Sequence, residues 1–259
     1  MAFVQCEFFS NVLGMHMQMN VILPQPDTTH IGTASAKKSV TGEYPVMYLL
    51  HGMSDDQSIW SRFTGIERYV SGKNLIVVMP NAHRSYYMKM HSGFDYWTYI
   101  SEELPQVVSG LFHVSGKRED NFVCGLSMGG YGAMRLGLMR PDRFAAVCSL
   151  SGVADIKTFS SYIDEGRNAE MQRIFGPFDK LGESHDDLFY LADRFVAAGG
   201  DTRILQVCGT EDFLYNDNVR LRDHFRKIGL KADYLEEPGS HTWEFWDKHV
   251  QTALKFFGF

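Results

Sequence analysis

The sequence predicts an α/β domain on a mostly parallel central sheet with helices on both faces. A continuous apolar run at 45–50 (PVMYLL) and short, mostly apolar runs at 74–79 (NLIVVM), 144–150 (FAAVCSL) and 203–208 (RILQVC) recur. Strands covered on both faces read this way instead of alternating. Helical patterns at 59–70, 98–112, 218–228 and 243–256 separate or follow them, and repeated strand-helix alternation is the mark of a parallel sheet with crossover helices. No long linker interrupts the 259 residues, so one domain spanning 1–259 is expected.

In chain order, 3–9 and 15–23 are rich in strand formers, with Asn11 and Gly14 between them, and predict an antiparallel hairpin at a sheet edge. The polar, turn-rich stretch 24–42 predicts a surface loop. An aromatic-rich loop follows at 80–97. The helix over 98–112 contains Pro105, which should kink or restart it. Residues 232–236 supply a last strand. The long interruption at 154–200 is expected to form a small cap.

Bulk properties narrow the classes. A net charge of −6 gives no basic stripe for nucleic acid and no polybasic membrane signal. No apolar stretch is long enough to span a bilayer, and MAFVQCEFFSNVLG lacks a basic segment followed by an apolar one, so a cytoplasmic protein is expected. Cys6, Cys124, Cys148 and Cys208 lack metal-type spacing, and buried free thiols are expected. No ligand cluster or phosphate loop calls for a metal or organic cofactor.

The chemistry concentrates at 121–132, NFVCGLSMGGYG. Apolar residues precede Gly125-Leu126-Ser127-Met128-Gly129 and a helical pattern follows, which is the nucleophile elbow of the α/β-hydrolase fold. So sharp a turn leaves no room for a Cβ two residues either side of the serine, and Gly125 and Gly129 meet that need. Ser127 then stands at a helix start, where free N–H groups favour developing negative charge.

A serine hydroxyl needs a base, and the base an acid. In this fold they follow in the order acid, then histidine. The run ending in Gly209-Thr210-Glu211-Asp212 puts two carboxylates past the carboxyl end of a strand, where ligands gather in open α/β sheets. Asp212 is the chosen acid and Glu211 its competitor; Asp217 and Asp223 fall in the next helix and should face solvent. His241 follows the last strand directly and is the expected base, whereas His224 and His249 lie mid-helix. Two backbone N–H groups should form an oxyanion hole, those of Met128 and of Met53 after His51-Gly52. His51 is expected to hydrogen-bond the turn. Trp97, Phe213 and Trp243, with Tyr86 and Leu214, are candidates to line a substrate pocket by position.

His51-Gly52-Met53 with Trp60, Gly93-Phe94-Asp95-Tyr96 leading to Glu102-Glu103-Leu104-Pro105, and Gly125 to Ala133 resemble the esterase D group, including S-formylglutathione hydrolases and bacterial tributyrin esterases and related to the mycolyltransferases. The likeness to streptococcal-type tributyrin esterase runs from the first hairpin to the final helix. It implies a serine hydrolase of short acyl esters or thioesters, with Ser127, Asp212 and His241 as triad, Met53 and Met128 as oxyanion donors, and self-association. The loop 81–95 lacks the Pro-Arg-Gly segment expected of formylglutathione hydrolases, which favours a general carboxylesterase. S-formylglutathione hydrolysis and feruloyl- or acetyl-sugar hydrolysis stay open as alternatives. Acyl transfer to a sugar and a catalytically silent binding module are the more distant ones.

Overall fold

The computed structural model describes residues 1–26, 31, 32, 34, 42–159, 164–178, 181 and 185–259. Most of the expected surface loop at 24–42 and parts of the expected cap lie outside them.

Eight strands form one sheet: β1 (Ala2–Ser10), β2 (Met15–Leu23), β3 (Val46–Leu50), β4 (Ile76–Pro80), β5 (Asn121–Leu126), β6 (Ala146–Leu150), β7 (Arg203–Gly209) and β8 (Ala232–Glu237). Their order is β1-β2-β4-β3-β5-β6-β7-β8. β1 and β2 make the expected antiparallel hairpin, with Ala2 opposite Leu23 and Ser10 opposite Met15, and β2 joins β4 antiparallel. Every other pairing is parallel.

The apolar runs are explained by two cores. Tyr48 and Leu50 of β3 and Val123 of β5 face one side; Met47, Leu49, Phe122 and Cys124 face the other. On the first side lie α4 (Leu104–Leu111), α5 (Met128–Met139), α8 (Leu188–Ala197) and α9 (Tyr215–Ile228). On the second lie α1 (Ile59–Phe63), α2 (Ile66–Val70) and α10 (Trp243–Phe257), whose Trp246, Val250, Leu254 and Phe257 form its buried stripe.

Two expected helices differ in detail. The pattern at 59–70 breaks between α1 and α2 because the Thr64 hydroxyl donates to the Trp60 carbonyl at 2.5 Å and the Asp247 carboxylate accepts the Gly65 N–H at 2.8 Å. The helix around Pro105 begins earlier, as α3 (Tyr96–Thr98), and runs through a π turn (Tyr99–Glu103) into α4. Pro105 has no N–H for the Ser101 carbonyl. Arg140 Nη1 donates to that carbonyl instead, at 3.2 Å.

Candidate active site

Ser127 occupies the single-residue turn between β5 and α5, with φ 52° and ψ −116°. Such backbone angles cost about 1–3 kcal/mol in a residue with a side chain, so neighbouring structure must hold them. Ser127 N–H donates to the Leu150 carbonyl at 2.9 Å, and the Ser127 carbonyl accepts from Tyr131 at 3.1 Å and Val153 at 3.3 Å. A Cβ on Gly125 would lie 2.3 Å from the Gly129 carbonyl oxygen, and one on Gly129 2.5 Å from that of Leu50. The glycines therefore let α5 start against the end of β3.

Asp212 follows β7, and its N–H closes a turn onto the Gly209 carbonyl at 3.2 Å. His241 follows β8. The two loops run side by side, with Glu211 N–H donating to the Gly239 carbonyl at 2.9 Å. The result is a hydrogen-bonded series: Asp212 Oδ2 lies 2.8 Å from His241 Nδ1, and His241 Nε2 lies 3.0 Å from Ser127 Oγ. A carboxylate only accepts, so Nδ1 carries the ring proton and Nε2 is left to accept from the serine hydroxyl. The other Asp212 oxygen accepts the Leu214 N–H at 2.9 Å. Glu211, the competing acid, is exposed.

One expectation is overturned. Asp217 does not face solvent but is fully buried, paired with Arg220 at 2.6 Å. It sits in the first turn of α9, whose start is drawn inward by the Asp212 turn. Asp223 is exposed.

The loop after β3 is pinned by His51, buried to 1% exposure. Its Nε2 accepts the Ala82 N–H at 3.0 Å, so Nδ1 is the protonated nitrogen and donates to the Gly52 carbonyl at 2.6 Å. Burial pushes the imidazole pKa down to about 4, which keeps it neutral. The same carbonyl accepts from Asp55 N–H at 3.3 Å. In a trans peptide the N–H points opposite the carbonyl, so two donors on Gly52 fix the direction of the Met53 N–H. Among the described residues, neither the Met53 nor the Met128 amide has a protein acceptor.

The Asp55 carboxylate accepts the Gly52 N–H at 3.2 Å. Burial raises its pKa, and the Gly52 bond pulls it part of the way back.

The aromatic candidates separate. Phe213 lies tilted against the His241 ring, 4.7 Å between centroids, and is 58% exposed. Trp243 lies one step further, packed on Trp60, Phe63 and Trp246. Trp246 had no sequence signal apart from the buried stripe of α10, yet its ring meets His241 edge-on at 4.8 Å. Trp97 is engaged elsewhere, under the Arg135 guanidinium at 4.5 Å. Tyr86 and Leu214 are buried. His224 pairs with Asp193 and His249 with Glu237.

The described parts of the insertion comprise α6 (Ile156–Phe159), α7 (Glu165–Phe175) and α8. α8 packs beside α5 and α9 as a covering helix. α6 and α7 meet the aromatic loop instead, with Phe159 and Phe175 against Tyr86 and the Ile174 carbonyl accepting from His91 at 2.8 Å.

The sheet order, the strand-turn-helix around Ser127 and the Ser127-His241-Asp212 series define an α/β-hydrolase. Residues 10–257 match the model of the Esterase family, and the chain belongs to that family of carboxylic ester hydrolases. An acetyl esterase of Caldicellulosiruptor saccharolyticus is 29% identical over 266 residues, covering 99% of this chain and 98% of that protein. The solved structure of FphF, a fluorophosphonate-binding serine hydrolase of Staphylococcus aureus, is 32% identical with TM-score 0.87, covering 99% and 98% of the two chains. The S-formylglutathione hydrolase FrmB of the same organism is also 32% identical, with TM-score 0.85 and the same coverage.

Proposed function

We propose that this chain is a serine carboxylesterase that removes short acyl groups, acetyl to butyryl, from small esters such as tributyrin-like lipids or acetylated sugars. The observation that carries the reading is the approach of His241 Nε2 to Ser127 Oγ at 3.0 Å with Asp212 at 2.8 Å from Nδ1. Ser127 Oγ attacks the ester carbonyl as its proton passes to His241 Nε2, and Asp212 steadies the imidazolium. The tetrahedral oxyanion is received by the N–H groups of Met53 and Met128, each such donor contributing about 2.7–4 kcal/mol. Collapse expels the alcohol, which takes its proton from His241 and leaves an acyl-serine. Water, deprotonated by His241, then releases the acid and restores Ser127. Phe213 and Trp243 form one wall of the substrate site.

The acetyl esterase relative supports the short acyl group. Four free thiols suit a reducing, cytoplasmic setting. Self-association rests on the family resemblance, and light scattering on the purified protein tests it.

A second reading is S-formylglutathione hydrolysis, favoured by the likeness to FrmB. Against it stand Asp55 and Asp56 on the loop that carries the proposed oxyanion donor. Like charges there disfavour a leaving group with two carboxylates. The deciding experiment compares kcat/KM on p-nitrophenyl esters from acetate to octanoate, on S-formylglutathione, and on acetylated and feruloylated sugars. A peak at acetate to butyrate supports the esterase; an advantage of orders of magnitude for the thioester replaces it with the second reading. Ser127→Ala should abolish turnover, and substantial residual activity overturns the triad.

A further inference from the structure

We infer that Asn218 of α9 is a positioning residue that locks the loop carrying Asp212 to the elbow carrying Ser127, an inference that rests on the triad assigned above. Asn is a weak helix former because its amide competes with the backbone, yet Asn218 sits inside α9 with 1% exposure. Both amide hydrogens and the amide oxygen have partners. Nδ2 donates to the Gly152 carbonyl and to the Leu214 carbonyl, both at 2.9 Å, and Oδ1 accepts from Gln206 Nε2 at 2.7 Å. Carbonyl oxygens only accept, so the orientation of the amide is fixed.

Each carbonyl that Asn218 holds belongs to a loop touching the triad. Leu214 also donates its N–H to Asp212 Oδ1 at 2.9 Å. Gly152 precedes Val153, whose N–H reaches the Ser127 carbonyl at 3.3 Å. Asn218 is thus the side chain through which the β7–α9 loop and the loop after β6 are joined, and Gln206 of β7 holds its amide from below. The preceding Ser151, buried and in the left-handed region at φ 47°, ties the same loop to the Val207 carbonyl at 2.7 Å. His241 must reach Asp212 and Ser127 at once, and a displacement of about 1 Å can cost roughly 100-fold in rate. An unpinned Asp212 loop would allow that displacement.

The test is a double-mutant cycle between Asn218→Leu and Asp212→Asn, with kcat and KM measured on p-nitrophenyl acetate and thermal unfolding followed in parallel. In the wild-type background Asn218→Leu should lower kcat about 10- to 100-fold with KM within about threefold. Against Asp212→Asn, which itself should cost up to about 10⁴-fold, the same substitution should cost less than about threefold, because the group it positions is already disabled. A merely structural role would multiply kcat by one factor in both backgrounds, and that result overturns the inference, as does an unchanged kcat. An Asp212→Asn enzyme of full activity would instead overturn the triad. Asn218→Ser, which keeps one short donor, should fall between Asn and Leu. If both variants at 218 fail to fold, Asn218 is a folding residue and the positioning role falls.

Discussion

Arg84 holds Glu170 with two nitrogens, Nε to Oε1 at 2.5 Å and Nη2 to Oε2 at 2.7 Å, and its Nη1 lies 3.5 Å from the Met53 carbonyl. The fork joins α7 of the insertion to the loop after β4 and reaches the residue proposed to supply an oxyanion donor. Arg84 is half exposed, so the pair itself should contribute no more than about 1 kcal/mol to stability. Its bond to Arg84 holds the Glu170 carboxyl below its ordinary pKa. The contribution is therefore full above the unfolded carboxyl value and fades as pH falls through the folded one. Arg84→Ala should shift the unfolding free energy by about 1 kcal/mol or less at pH 7, and the difference from wild type should shrink toward pH 3. KM for p-nitrophenyl butyrate should rise while kcat holds. Unchanged kinetics would show that the fork does not shape the site.

His51 predicts a second pH dependence. Burial holds its pKa at about 4, below the ordinary histidine value near 6.5. The unfolded chain then binds the proton more readily, so stability is full above about pH 6.5 and falls as pH drops toward 4. Between pH 7 and pH 5 this residue alone should remove about 2 kcal/mol. His51→Gln can keep a donor and an acceptor but has no titration. Urea unfolding at both pH values should show a smaller drop for the variant by about that amount; equal drops would place the proton elsewhere.

Glycines in two settings should respond in opposite senses. Gly129→Ala forces a methyl to within 2.5 Å and 2.7 Å of two backbone oxygens, which cannot move without disturbing β3. A loss above about 4 kcal/mol, or no soluble protein, is expected. Gly110 in α4 has nothing within 4 Å of the position a Cβ would take, and Gly110→Ala should stabilise by about 0.5–1 kcal/mol. Thermal unfolding of both variants checks the pair.

Ser127 was legible because it directly follows a buried apolar strand, and Asp212 and His241 because they sit in the loops after β7 and β8, in the order acid then histidine. The central strands β3 to β7 were legible because burial on both faces writes itself as a mostly apolar run, whereas β1 and β8 are exposed on one side. What escaped depends on contacts distant in sequence. The break at Thr64 and Gly65 depends on Asp247 of α10, and the course of the helix past Pro105 on Arg140. Asp217 looked like a solvated helix residue, and only the inward start of α9 buries it. Trp246 belongs to an ordinary core stripe; its contact with His241 arises from where the loop after β8 returns.

Phe213 offers the cleanest separation of binding from chemistry. Its ring lies 4.7 Å from the His241 ring but is 58% exposed, so little of the fold rests on it. Phe213→Ala should change the unfolding free energy by less than about 0.5 kcal/mol. An aromatic contact to substrate is worth about 0.5–1.5 kcal/mol beyond its area, which corresponds to a rise in KM of about 2- to 13-fold for p-nitrophenyl acetate. Because the imidazole is also held by Asp212 and edge-on by Trp246, kcat should stay within about threefold. A fall confined to kcat would mean that Phe213 orients His241 instead of meeting substrate. The substrate wall would then be assigned to Trp243 and its neighbour Phe63, which is 50% exposed.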